Sequence, residues 1–147
     1  MQGHYKKHAL ALIILSVLGA LVSSYLVYQH YKPLGDSICN LSNYVNCDIV
    51  NKSEYAEILG VPVAVLGLAA YAVIFFFSLA LLKGWFKHAA SSLAIFTAGG
   101  LGFSLYLTYV EFFVLHAVCL FCLASQAIIL ALFIISLLVW LKSRASP

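Results

Sequence analysis

Four stretches, about 9–28, 61–82, 89–110 and 117–141, are each long and apolar enough to cross a bilayer, and they constrain this chain more than any other feature. A spanning helix needs roughly 20 apolar residues. In hydrocarbon every backbone N–H and C=O must find its partner within the segment, so stretches of this kind fold as helices. They occupy most of the 147 residues and leave room for a single domain, 1–147. The chain is 64% apolar and 9% charged, where soluble domains carry about 25% charged residues. A soluble globular protein and a disordered one are both excluded. The net charge of +3 is small and scattered, which argues against a nucleic-acid surface. The expected fold is an all-α integral membrane protein, a four-transmembrane-helix bundle.

The first stretch is too long for the apolar region of a signal peptide, and no small-residue cleavage site follows it. It is expected to remain as a membrane helix, ending in an aromatic interface belt at Val27–Tyr31. The head, the basic turn at Lys83–His88 and the tail hold Lys6, Lys7, Lys83, Lys87, Lys142 and Arg144, six of the eight basic residues. The five acids, Asp36, Asp48, Glu54, Glu57 and Glu111, fall on the other side with Lys32 and Lys52. The positive-inside rule then gives cytoplasmic termini and an extracytoplasmic loop 29–60. The membrane is the cell membrane in a prokaryote or that of the endoplasmic reticulum in a eukaryote.

Within that loop, Ser53–Gly60 reads as a short helix, with Ser53 at its N-cap and Gly60 just past its end. Such a helix makes the loop a lid over the bundle. Pro62 suits the first turn of the second span. Gly99, Gly100 and Gly102 in the third span read as close-packing positions. The stretch Glu111–His116 reads as a short turn into the last span.

The chain's four cysteines form two pairs. Cys119 and Cys122 lie at the start of the last span, and residues i and i+3 share a helix face about 5 Å apart, within reach of a disulfide. A helix already fixes both positions, so this pair has no stapling role and reads as redox-active. Cys122 lies ~4.5 Å deeper along the axis, which makes Cys119 the docking point for the loop. Cys39 and Cys47 lie in the polar loop and permit either a staple or a shuttle. Both pairs face the side where disulfides persist. Together they suggest a relay, with loop thiols facing a protein partner and the helix pair facing a lipid-soluble oxidant. Cys47 is tethered near Ser53 and is expected to meet Cys119. Cys39, in the freer segment 36–46, is expected to meet the partner.

Other residues carry weaker signals. His116 precedes Cys119 by one turn and reads mainly as an interfacial anchor. Tyr71 has a hydroxyl that needs a partner when buried, either a quinone carbonyl or another helix. Asp48 reads as a solvated loop charge. The many phenylalanines, Phe103 and Phe121 among them, read mostly as lipid-facing or packing rings, with a few available to wall an apolar ring pocket. No His or Met cluster accompanies the cysteines, and no metal site is expected.

These features resemble the vitamin K epoxide reductase family, including its stand-alone bacterial and archaeal members. The resemblance rests on Cys39 and Cys47 with seven residues between them, Ser53 six after Cys47, and Gly67 with Tyr71. Its most specific part is Ser104-Leu105-Tyr106-Leu107, then Phe112-Phe113-Val114-Leu115, then Cys119-x-x-Cys122. It implies a four-helix bundle around a quinone pocket, with Cys39 and Cys47 as the loop shuttle and Cys119 and Cys122 as the active-site pair. It places Cys122 and Ser53 beside a menaquinone, ubiquinone or vitamin K type of quinone. Gln126 stands where the animal enzymes have a tyrosine, so the implied reaction is quinone reduction rather than epoxide reduction. The implied electron donor is a separate thioredoxin-fold, DsbA-like protein. Rival readings are an animal-type epoxide reductase, a soft-metal carrier, and a structural tetraspan protein with a stapled loop.

Overall fold

The computed structural model describes residues 2–145. Its four long helices are α1 (Gln2–His30), α3 (Val63–Lys83), α4 (Ala89–Val110) and α5 (Leu120–Ala145). All four are long and apolar enough to cross a membrane, α4 together with its continuation to Leu115. They close a ring in which α1 packs on α3, α3 on α4, α4 on α5 and α5 on α1. The apolar residues that face outward, such as Ile95 at 74% exposure, have lipid as their solvent. Leu12, Ile74, Leu93 and Leu132 are fully buried at the centre.

Small residues let these helices approach. Gly19 of α1 lies under the Tyr71 ring of α3, where a Cβ would overlap the ring. Gly67 faces the Ser23 hydroxyl, and Gly100 faces Ile129. Gly99 and Gly102 meet nothing within 4 Å, so of the three glycines expected to pack, only Gly100 does. Buried hydroxyls are satisfied locally or across the bundle: Thr97 bonds the Leu93 carbonyl and meets the Ser136 hydroxyl at 2.8 Å.

At one end of the bundle, α3 stops where Gly84 takes a left-handed conformation, φ +70°, and its N–H caps the carbonyls of Ala80 and Leu81. Tyr5 and Lys6 of α1 share a surface pocket with Lys83 at this end. The other end carries the cap. Its first half is held to the bundle by backbone pairing of Val45 with Val118, in which Val118 N–H donates to Tyr44 O at 2.7 Å and Asn46 N–H to Val118 O at 3.0 Å. A short helix, α2 (Cys47–Asn51), follows, with the Asn46 side chain accepting the Ile49 N–H as its N-cap.

The helix expected at Ser53–Gly60 is absent. One 3₁₀ turn, Glu54–Ala56, leads into a hairpin of β1 (Glu57–Ile58) and β2 (Val61–Pro62). Leu59 and Gly60 form its turn, both with positive φ, +53° and +79°. That is the two-residue turn whose twist suits a hairpin, and it asks for glycine as a helix end does. Pro62 accordingly caps α3 instead of entering its first turn. The expected turn at Glu111–His116 is a helical continuation: Glu111–Leu115 form one wide π-turn, and His116 ends it in a left-handed conformation, φ +49°.

Asp48 also departs from expectation. It is buried at 3% exposure. Its Oδ2 accepts the Gly35 N–H and the Asn40 amide, each at 2.7 Å, and its Oδ1 pairs with Lys52 Nζ at 3.1 Å. Lys52 also donates to the carbonyls of Lys32 and Pro33. Asp48 thus ties the start of the loop to α2. A second tie is His30, whose Nδ1 meets Asn51 O at 2.7 Å and Nε2 meets Glu57 Oε1 at 2.9 Å. Of the expected interface belt, Tyr28 and Tyr31 are exposed, while Gln29 is buried and His30 turns into the cap.

Candidate functional site

All four cysteines meet where the cap covers the bundle. Cys39 and Cys47 form a disulfide with Cα atoms 5.6 Å apart, and Cys119 and Cys122 are free thiols. Cys39, Cys47 and Cys119 belong to one buried cluster with Leu26, Val50 and Ala117, and Cys122 packs against it. The Val45–Val118 pairing explains the juxtaposition. It fixes the residue before Asn46–Cys47 against the residue before Cys119.

Cys119 is the N-cap of α5. The Leu123 N–H donates to its carbonyl at 3.0 Å, closing the first helical turn. Its sulfur stands where a serine or aspartate oxygen usually stands and accepts the Cys122 N–H at 3.1 Å. Negative charge that develops on this sulfur during exchange faces the positive end of the helix. The Cys119 N–H in turn donates to Glu111 Oε2 at 3.1 Å. The π-turn brings Glu111 here, and such turns recur at functional sites. Sequence reading used Glu111 only as a charge for topology. The signal available was an acid inside an apolar run eight residues before Cys119.

Beside the cysteine cluster, the bundle holds a partly open cavity of 380 Å³. The cap roofs it with Asn51, Ser53 and Tyr55, α3 supplies Gly67 and Tyr71, α4 supplies Phe103 and Ser104, and α5 supplies Cys122 and Ser125. Cys122 lines this cavity, whereas Cys119 is 0% exposed and does not. A dithiol therefore presents one sulfur to the cavity and one to the loop disulfide. The walls are mostly apolar with a few polar atoms, the usual make-up of a small-molecule site.

The other expected site residues are distributed as follows. Ser53 lines the cavity, and its hydroxyl donates to Val50 O at 2.8 Å. Tyr71 lines it too, but its hydroxyl meets the Ser125 hydroxyl at 2.7 Å and so joins α3 to α5. Gln126 is not part of the lining. Its Oε1 accepts the hydroxyls of Ser104 and Thr108, which are. His116 is exposed and serves the turn. Phe103 lines the cavity, and Phe121 packs on Tyr25 with ring centres 4.6 Å apart. Asn51, missed in the sequence, lines the cavity and donates to Leu26 O at 2.8 Å.

Comparison with known families adds one finding. The family model described as vitamin K epoxide reductase family matches residues 10–137, nearly the whole chain.

Proposed function

This chain belongs to the vitamin K epoxide reductase family, a membrane oxidoreductase family with quinone-linked chemistry, and from that premise we propose that it is a thiol:quinone oxidoreductase supporting disulfide formation. The observation that carries this reading is the split exposure of the helix pair: Cys122 opens to the cavity while Cys119 sits in the cluster with the loop disulfide.

The electrons start on the dithiol of a thioredoxin-fold partner. Its thiolate attacks Cys39, Cys47 leaves, and the partner's second thiol displaces Cys39, so the partner departs as a disulfide. Cys47 then attacks Cys119 of the oxidised helix pair and releases Cys122. Cys39 displaces Cys119 from Cys47, which restores the loop disulfide and leaves Cys119 and Cys122 reduced. That is the redox state of the present structure. The pair then closes again as its two electrons and two protons pass to a quinone at Cys122. The sum is partner dithiol plus quinone giving partner disulfide plus quinol. The role of Ser104, Thr108 and Gln126 in this reading is to keep a polar edge on an apolar cavity.

The test uses purified protein with a reduced DsbA-like donor. Quinone is consumed at the rate at which the donor is oxidised, and Cys122→Ala abolishes both. Donor oxidation that continues without quinone would overturn the reading.

A further inference from the structure

Glu111 is buried at 2% exposure in a membrane protein, and none of the ion pairs among the described residues involves it. A carboxyl in that position is costly and marks function more often than stability. Its bond to the Cys119 N–H does not explain the choice of residue. A serine or glutamine oxygen would accept that N–H without burying a titratable group. What a carboxyl adds is the capacity to take and return a proton. Glu111 lines the same cavity as Cys122 and bonds the backbone of Cys119, so one side chain touches both the closing pair and the substrate chamber.

Resting on the quinone-reductase reading above, we propose that Glu111 is the proton carrier between the Cys119–Cys122 pair and the quinone. When the pair closes, one S–S bond forms and two S–H bonds break. Two electrons and two protons must reach the two quinone oxygens in this mostly apolar cavity. Glu111, as a carboxylate, accepts one thiol proton and hands it to a quinone oxygen, then carries the second thiol proton to the other oxygen in the same way, ending the cycle as the carboxylate it began as. Other titratable groups face this site. Tyr55, Tyr71 and Cys122 share the cavity, Cys119 is bonded to Glu111, and α2, which packs on the π-turn, carries Asp48. Tyr71 is engaged by Ser125 and Asp48 by Lys52, so of the two carboxyls Glu111 is the one with no ion pair among the described residues.

The decisive variant is Glu111→Gln, which keeps an oxygen for the Cys119 N–H and the same size. Its kcat for quinone reduction falls about 100-fold, the usual scale for losing a general acid–base, with KM for quinone unchanged. The pH profile of kcat loses the inflection that the unaltered protein shows, and Glu111→Asp recovers part of the rate. A second readout needs no quinone. Infrared difference spectra taken as the Cys119–Cys122 pair is chemically oxidised and reduced contain a carboxyl band that Glu111→Gln removes. If the unaltered protein consumes quinone while Glu111→Gln matches it in kcat, pH profile and infrared spectrum, the carboxyl is only a cap for Cys119. If the unaltered protein consumes no quinone, the reading of function fails and this inference with it.

Discussion

Asp48 decides how firmly the loop disulfide is shut away. Cys39 is only 3% exposed, so a protein partner reaches it only when the cap opens. Asp48 closes that cap through Gly35, Asn40 and Lys52. Removing one member of a buried, bonded charge pair costs about 3–5 kcal/mol, less here because Lys52 keeps two carbonyls. If Asp48→Ala costs about 2 kcal/mol of closing free energy, the open population rises about thirtyfold. The expected outcome is faster reduction of Cys39–Cys47 by a small dithiol in the same proportion; an unchanged rate would show that the cap opens elsewhere. Burial pushes the Asp48 carboxyl up, but the bonds from Asn40, Gly35 and Lys52 outweigh it and hold the group below its ordinary value of 3.8. A depressed folded value means that this stabilisation is complete above about pH 4 and is lost as pH falls through the lowered value. The hydrogen-exchange protection of residues 35–52, relative to the intrinsic rate at each pH, should therefore be flat through neutral and mildly acidic pH and fall only in strong acid. In Asp48→Asn that acid-dependent step should vanish.

Among the elements, the spans were the legible part, because a run of apolar residues has few fates in a membrane chain. The cap was harder. Ser53–Gly60 carries helix-end signals, yet Gly60 serves a hairpin, since glycine at positive φ suits both. The true short helix had a readable start in Asn46, which lies just before Cys47-Asp48. Helix contacts were legible only in part. Glycines were expected at α4, whereas the closest approach is Gly19 under Tyr71, a pairing between α1 and α3 that no local pattern announces. Gly19→Val must displace the Tyr71 ring and with it the bond to Ser125. Overpacking of this kind costs about 1–3 kcal/mol. The variant should unfold at lower temperature and lose affinity for quinone, while Gly99→Ala, which meets nothing within 4 Å, should behave as the unaltered protein. Equal losses in both variants would mean that the Gly19–Tyr71 contact is not special.

At the scale of the whole molecule, both ends of the bundle carry meaning. The basic residues gather at the end of the Lys83–His88 turn, and the cysteines gather at the other. The positive-inside rule expects the basic end in the cytoplasm, and on that expectation Ser42→Cys should react with an impermeant reagent on intact cells and Ser143→Cys should not. The reverse pattern would put the disulfides in a reducing compartment. The pairing of cysteines was visible in the sequence, since four residues at two spacings leave few arrangements. Their meeting was expected from the loop's tether near Ser53, but the contact that holds it was not visible, because it depends on Val45 finding Val118 across some seventy residues. The central claim is that electrons cross from the loop pair to the helix pair between Cys47 and Cys119. Its most direct test is non-reducing peptide mapping of Cys122→Ala after rapid thiol alkylation. With Cys122 gone, Cys119 attacks the loop disulfide at Cys47 and releases Cys39, and alkylation of the released Cys39 stops it from displacing Cys119 again. The account predicts a Cys47–Cys119 peptide with Cys39 alkylated. An intact Cys39–Cys47 bond with Cys119 alkylated, under conditions where the unaltered protein turns over, would contradict it.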